Sequence, residues 1–222
     1  MGAISAAGFN PSIFQFQWVA KNIYGCAEGD QVNLVEVLTE NGLAVNRLTF
    51  WEGVAFKVDM QRTEFFILDT KAETLAQLEN ILLKMLEILP HTPVSAIGCN
   101  FGFFDANPPE RIVEFFNTPE GLEGEGVLNS RQSGCQLKIS EAEVLNFSRS
   151  LSAQGIRFSF NYHRVETTID RYKDFVPGIL NRSLQHSLKL LKSLYDYEGQ
   201  EVIGFVGQNE QEGNENVAKG TN

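Results

Sequence analysis

Residues 64–104 read EFFILDTKAETLAQLENILLKMLEILPHTPVSAIGCNFGFF and predict a strand–helix–strand unit. A short apolar strand at Phe65–Leu68 precedes a helix over Lys71–Leu89, where leucine and isoleucine recur at helical spacing. The sequence PHTP then ends the helix, because proline lacks a backbone donor and restrains the residue before it. The apolar run that follows, Val94–Phe104, is predicted to return as a strand.

The predicted helix is apolar over more than half of its circumference. Its polar stripe is narrow and consists of Glu73, Gln77, Asn80, Lys84 and Glu87. A helix this apolar is expected to contact a second surface in addition to a sheet. Asp69 or Thr70 is predicted to cap its first turn. Glu79 lies on the apolar flank, where it is either a boundary residue that reaches water or a buried acid with a raised pKa.

Upstream of this unit, alternating polar and apolar residues predict an antiparallel meander. Glu40-Asn41-Gly42 is a hairpin signal, since Asn-Gly supplies the two positive-φ positions of a tight turn. A second turn is predicted at Trp51-Glu52-Gly53. The predicted strands are Ile13–Ala20, Val32–Leu38, Leu43–Phe50 and Val54–Met60.

The second half of the chain repeats this order of elements less clearly. The segment 141–154 is ambiguous, with a helix capping box at its start and strand-like alternation later, and we favour a strand. A helix is predicted to open near Asp174, with Pro177 in its first turn. The predicted strands are Ile112–Phe116, the alternation Cys135–Ile139, Ile156–Val165 and Glu201–Val206.

These patterns predict an α+β fold built from two related halves, packed as one body. Each half is an antiparallel β-meander followed by one long helix and an apolar strand that holds Ile-Gly. We interpret this order as a divergent internal duplication; a chance similarity of pattern is the alternative. The predicted divisions are a first half (1–104), an acidic connector with Gly and Pro (105–133), a second half (134–207) and a disordered polar tail (208–222).

The formal net charge of −10 is unevenly distributed. Segment 105–128 holds six acids against one arginine, and the segment from Glu198 onward holds five acids against one lysine. The rest of the chain is therefore close to neutral. Because this negative charge repels phosphate backbones, nucleic-acid binding is not expected.

The three cysteines, Cys26, Cys99 and Cys135, have no spacing typical of a zinc site or a disulfide framework. We interpret them as reduced thiols. The N-terminal residues lack the basic start and apolar core of a signal peptide, and no apolar run has the length of a membrane helix. The sequence therefore predicts a cytoplasmic protein without metal or cofactor and without membrane association.

The sequence contains no recognisable catalytic motif, and none of its three histidines has a second ligand at metal-binding spacing. The best ligand-binding candidate is one face of the strand 156–165, because residues two apart point the same way. That face could offer a cation, a hydroxyl, an amide and an imidazole to a small anion; a simple solvated face is the alternative. Its residues are Arg157, Ser159, Asn161 and His163.

Two hypotheses of function follow. The first, which we favour, is a non-catalytic protein-binding module of the inhibitor, immunity or assembly-factor type, with self-association as a homodimer also open. Its candidate interaction surface combines acids of the connector with the basic face of the second helix: Glu110, Glu114, Glu120, Glu123, Glu125, Arg182, Lys189 and Lys192. The alternative is a small anionic ligand-binding protein or enzyme whose pocket is lined by the Arg157–His163 strand face.

Overall fold

A computed structural model of the chain describes residues 2–6, 10–38, 44–58, 62–116 and 129–197. Within these ranges the strands are β1 Gly2–Ala6, β2 Asn33–Leu38, β3 Ala44–Trp51, β4 Val54–Val58, β5 Arg62–Ile67, β6 Val94–Asp105, β7 Ser130–Lys138, β8 Glu143–Ser152 and β9 Gly155–Arg164. The α-helices are α1 Phe16–Val19, α2 Ala72–Ile88, α3 Glu110–Val113, α4 Ile169–Phe175 and α5 Ile179–Tyr195.

All described strands join one antiparallel sheet, in the order β2-β3-β4-β5-β1-β6-β9-β8-β7. The α+β class is therefore confirmed. The segment 141–154, which the sequence left ambiguous, is the strand β8. The internal duplication and the division into halves stay predictions, since pairing alone does not measure the likeness of two segments.

The two predicted halves meet where β6 pairs with β9. Register is continuous from Ile97 opposite Arg164 to Asp105 opposite Ile156. On the side covered by helices, Phe103 and Phe160 pack edge to face with ring centroids 5.7 Å apart. This pairing places aromatic side chains of both halves in a single core.

Helix α2 covers the first half of the sheet and also contacts α5 and α4. Its buried residues are Leu75, Leu78, Ile81, Leu82, Met85 and Leu86. The expectation that this helix has a second packing surface is confirmed. The N-cap is Lys71 rather than Asp69 or Thr70. Asp69 still acts at this terminus, because its carboxylate accepts hydrogen bonds from the Lys71 amide and the Thr74 hydroxyl.

The carboxylate of Glu79 joins α2 to α5. Its two oxygens accept hydrogen bonds from the backbone amides of Gly178, at 2.7 Å, and Leu180, at 2.8 Å. These amides lie at the start of α5, where backbone donors lack partners within the helix. Glu79 therefore caps a neighbouring helix and compensates the positive end of its dipole. From the sequence, we predict that Glu79 either reaches water at the boundary or is a buried acid, and neither alternative includes this capping role.

Three predicted elements are wrong in type or extent. Segment 13–20 is not a strand, because α1 spans Phe16–Val19 and continues into a π-helical turn at Ala20–Tyr24. Segment 112–116 is also helical. The long second helix is two helices, because the chain breaks at Pro177-Gly178, with Gly178 at a positive φ of 74°.

The turn at Glu52-Gly53 is confirmed, with both residues at positive φ, 44° and 82°. The strands on both sides of Asn41-Gly42 pair as expected, but that turn lies outside the described residues. The predicted strand Glu201–Val206 and the tail 208–222 lie outside them as well.

We expect Glu79→Ala to lower the free energy of unfolding by about 1–2 kcal/mol, because two amides at the start of α5 lose their acceptor. Urea denaturation followed by circular dichroism measures this change. Glu87→Ala, which removes an exposed acid from the same helix, is the matched control and should stay close to wild type. Equal losses in the two variants would show that Glu79 contributes nothing as a cap.

Candidate functional site

The face of β9 singled out from the sequence exists as predicted. Arg157, Ser159, Asn161 and His163 are all partly exposed, whereas the alternate residues of the strand are buried. They lie on the side of the sheet opposite the helices, since Tyr162 on the other side contacts α5. The structure therefore brings these four side chains to one surface, which we call the polar sheet face.

A row of side-chain amides crosses the polar sheet face over four strands. Gln136 donates to Asn146 at 2.8 Å, Asn146 donates to Asn161 at 3.1 Å, and Asn161 donates to Asn100. Because each amide bonds to its neighbour, much of the hydrogen-bonding capacity at Asn161 is already used within the sheet. A small anion would have to compete with these bonds.

The other members of the polar sheet face also have neighbours within the sheet. The Arg157 guanidinium lies over the Phe104 ring, 5.9 Å from its centroid. Ser159 pairs with Gly102, and His163 with Gly98, so glycine leaves open surface beside each of them. The polar sheet face therefore extends along β6 and β9, and its role in ligand binding stays a prediction.

We expect Asn161→Ala to lower the free energy of unfolding by about 1 kcal/mol, because the amide row loses its central donor and acceptor. Chemical denaturation measures the loss. Asn181→Ala, which removes an exposed amide from α5, serves as control and should have almost no effect. If both variants unfold at the same urea concentration, the amide row adds nothing to stability.

Strand β7 forms one edge of the sheet. Among the described residues it pairs with β8 alone, through an unbroken register of Ser130–Lys138 with Val144–Ser152. All of its residues except Arg131 are exposed. Leu137 and the following Ile139 expose 41% and 43% of their surface. The strand therefore presents a free backbone edge with apolar side chains beside it.

The sequence-predicted interaction surface does not form one patch within the described residues. Glu110 and Glu114 are exposed on and after α3. This segment contacts the end of α5 through Arg111, which bonds to the Asp196 carboxylate at 3.1 Å, and through Phe115, whose ring packs edge to face on Tyr195 at 5.4 Å. The acids of α3 thus do not dock on the basic face of α5. Glu120, Glu123 and Glu125 lie outside the described residues.

On α5, the predicted basic residues have different surroundings. Lys189 is exposed, Arg182 lies 5.6 Å from the centroid of the Phe175 ring, and Lys192 forms an ion pair with Asp196 at 2.8 Å. Two of the three predicted cations are therefore engaged within the chain. This leaves little free charge on α5 for an acidic partner.

A concavity that the sequence did not predict lies between α2 and the start of the meander. Its volume is about 390 Å³, and we call it the α2 groove. One wall is formed by residues of α2, most of them from its polar stripe, and the other by residues of the π-helical turn and the end of β3. Its lining residues are Ile23, Tyr24, Trp51, Glu73, Ala76, Gln77, Asn80, Ile81 and Lys84. The evenly spaced polar residues of α2 were the sequence feature that could have indicated this groove, but the same spacing is typical of a helix face exposed to water.

The histidines and cysteines form no catalytic arrangement that we can identify. Tyr162 bonds to His186 Nδ1 at 2.9 Å and to the buried Ser187 hydroxyl at 3.1 Å, and burial raises the pKa of Tyr162 to about 12. Across the described ranges, no three His, Cys, Asp or Glu side chains are grouped to hold a metal ion. Nor does any described helix combine the length and apolarity that crossing a membrane requires.

The three thiols differ in accessibility, which gives a direct test of the structure. Cys135 is exposed on β7, Cys26 is partly exposed, and Cys99 is buried, which raises the pKa of its thiol to about 12. We expect iodoacetamide at pH 8 to label Cys135 first, Cys26 more slowly and Cys99 only after unfolding. Peptide mass spectrometry follows each site. Labelling of Cys99 in the native protein as fast as Cys135 would contradict the placement of β6.

The fold and these surfaces define an α+β protein with helices packed on one antiparallel sheet. No model of a known protein family matches the chain. No curated protein matches it either. Among solved structures, the di-domain ARO/CYC StfQ from the steffimycin biosynthetic pathway aligns at 9% identity over 88% of this chain and 98% of that chain. Its TM-score of 0.22 is too low to support an argument about fold or function.

Proposed function

We propose that this protein is a non-catalytic protein-binding module that takes an extended segment of its partner along the edge of β7. The observation that carries the proposal is the exposure of every residue of this strand except Arg131, beside a backbone edge that no other described strand pairs with. Main-chain hydrogen bonds to such an edge provide affinity, and alternate side chains provide specificity. An inhibitor, immunity or assembly-factor role would each use this surface.

The contrast between the two sheet edges supports this choice. Exposed edges are usually protected by a bulge, proline or charge that blocks further pairing. At the opposite edge, the register of β2 with β3 is irregular between Val37 and Leu38. Strand β7 contains no proline, its register with β8 is regular, and its two charged residues, Arg131 and Lys138, lie near its ends. Of the two edges, β7 is the better template for another strand.

The residues of β7 also indicate the kind of segment that would pair with it. The strand carries Arg131 and Lys138 and no acid. Lys138 forms an exposed ion pair with Glu141 at 2.7 Å, and such exposed pairs are weak, so an acid of a partner can replace Glu141. Leu137 and Cys135 lie on its helix-facing side, because they pair with Leu145 and Phe147, which border the core. The matching partner is an extended segment in which apolar residues alternate with acidic or polar ones.

In this proposal, the predicted acids on and after α3 affect the rate of association and do not belong to the pairing edge. Glu110 and Glu114 are exposed, but they belong to a short helix rather than to a pairing edge. Charges at such positions affect the rate of encounter more than the final affinity. Reversing them to lysine should therefore alter the association rate and leave dissociation close to wild type.

The alternative of small-anion binding by the polar sheet face has less support. Asn161 bonds to amides on both neighbouring strands, and the guanidinium of Arg157 lies over an aromatic ring. Both groups are thus engaged before any ligand arrives. Under our proposal, Arg157→Ala with His163→Ala leaves partner binding close to wild type.

The proposal can be tested with a displayed library of random twelve-residue peptides. We expect selected peptides to alternate apolar and acidic residues and to bind the wild-type protein in fluorescence polarisation. Leu137→Asp with Lys138→Glu should raise their Kd about ten-fold or more, through lost apolar contact and like-charge repulsion. The matched control, Arg182→Glu with Lys189→Glu, reverses charge on α5 and should leave the Kd unchanged.

Three outcomes would count against the proposal. Selection of no binding peptide would remove its basis, as would peptides whose affinity is insensitive to the β7 variant. The third outcome is self-association, which sedimentation equilibrium measures. Two copies could pair their β7 strands antiparallel about Gly134, with Arg131 of one copy opposite Leu137 of the other. A dimer that only the β7 variant dissociates would make a second copy the occupant of this edge.

A further inference from the structure

The middle of strand β7 lacks the features that usually prevent further pairing. Proteins protect a regular sheet edge with a bulge, a proline, charges or a covering segment of chain. The register of β7 with β8 is regular, the strand contains no proline, and its two charges lie near its ends. Leu137 exposes 41% of its surface on the helix-facing side, so no described helix covers this part of the sheet. The middle of the edge is therefore open to a covering segment.

The backbone donors of this edge can be assigned to particular residues. In an antiparallel pair, alternate residues bond to the neighbouring strand, and the residues between them point away from it. A Cβ added to Gly134 would lie 3.3 Å from the Phe147 carbonyl oxygen, which places that oxygen beside the Cys135 amide. Cys135 is therefore a residue that bonds to β8. The amides that point to the free edge, which we call the edge amides, are those of Gln132, Gly134 and Gln136.

The chain beyond α5 contains a segment suited to this edge. Residues 201–206 read EVIGFV, and valine, isoleucine and phenylalanine favour strands. The sequence predicts a strand here, and the segment lies outside the described residues. Apart from Val217-Ala218, the rest of 198–222 is polar or glycine. Residues 201–206 are thus the part of this stretch that gains most free energy from burial.

The last described residue lies close enough to β7 for this segment to reach it. The Tyr197 ring centroid is 5.6 Å from that of Phe158 on β9. Phe158 pairs with Arg149 of β8, which pairs with Ser133 of β7. The position beyond β7 is three strand spacings from β9, or about 14 Å. The five steps from Tyr197 to Val202 span up to about 17 Å, and later residues reach further.

Charge and tethering both favour this contact. Strand β7 carries Arg131 and Lys138 and no acid, whereas residues 198–222 hold five acids and one lysine. A few residues connect the segment to α5, so its effective concentration at β7 is of millimolar order. At that concentration even a weak strand pairing is populated.

We propose that residues 201–206 of this chain occupy the edge of β7 as an additional strand. Their backbone bonds to the edge amides, and their apolar side chains pack beside Leu137. A partner segment has to displace them before it can pair with β7, so the contact is autoinhibitory. The pairing stands independently of the proposed function, whereas the competition with a partner rests on it.

Amide hydrogen exchange, followed residue by residue in ¹H–¹⁵N spectra of the full chain, tests the pairing. The edge amides should exchange about ten-fold faster or more in Ile203→Ser with Phe205→Ser than in wild type, because the segment loses the apolar contact that holds it. The matched control, Gln208→Ser with Gln211→Ser, changes two polar residues of the same stretch and should exchange as wild type does.

A variant that stops at Tyr197 provides a second test. Its edge amides should exchange as fast as those of the double serine variant, and a synthetic peptide of residues 198–210, added in excess, should slow them again. Peptides selected for binding to β7 should have a Kd about five-fold lower or more for this variant than for wild type, since no segment of the chain has to be displaced.

The proposal is overturned if the edge amides exchange equally fast in wild type and in the variant that stops at Tyr197. Equal acceleration at Phe101, in the middle of the sheet, would indicate a general loss of stability instead of release of the edge. Slow exchange that disappears on dilution would assign the pairing to a second copy of the chain. If the edge amides respond as expected but no selected peptide binds the shortened variant, the pairing stands and the proposed function fails.

Discussion

The antiparallel pairing of β6 with β9 is the constraint on which the rest of the structure depends. It joins the two parts of the sheet through an unbroken register, Ile97–Asp105 with Ile156–Arg164. The junction permits little variation at its end, because a Cβ on Gly155 would lie 2.2 Å from the Asp105 carbonyl oxygen. Helices α2 and α5 can pack together only because this pairing places their two halves on one sheet.

Two charged side chains, Glu79 and Arg149, connect the layers of the molecule. Glu79 extends from α2 to the first amides of α5. The Arg149 guanidinium of β8 bonds to the Tyr195 hydroxyl at 2.6 Å and lies over the rings of Phe115 and Phe116. It thereby holds the segment after α3 and the end of α5 against the sheet. Partial burial strengthens such contacts, since little water screens them.

The α2 groove and the exposed edge at β7 lie toward opposite edges of the sheet. The α2 groove borders the end of β3, whereas β7 is the last strand at the other edge. Seven strand spacings separate β3 from β7 in the sheet order, which corresponds to up to about 33 Å along an untwisted sheet. A peptide bound along β7 would therefore not contact the groove.

Local patterns in the sequence determined the α+β class, the helix α2, and the strands β6 and β9, because hydrophobic periodicity reports which side of a segment is buried. For β8 the pattern only favoured a strand over a helix. The polar face of β9 followed from the same rule. The prediction for segment 13–20 was wrong, because Phe14, Phe16 and Trp18 alternate as in a strand, whereas Phe16 and Trp18 lie in the helix α1 of the folded chain. Only the tertiary structure decided what surrounds each residue. It placed the first amides of α5 at Glu79, left the edge of β7 exposed, and put Tyr24 and Trp51 opposite the polar stripe of α2. These depend on segments far apart in the chain, and no local spacing records which distant segments will meet.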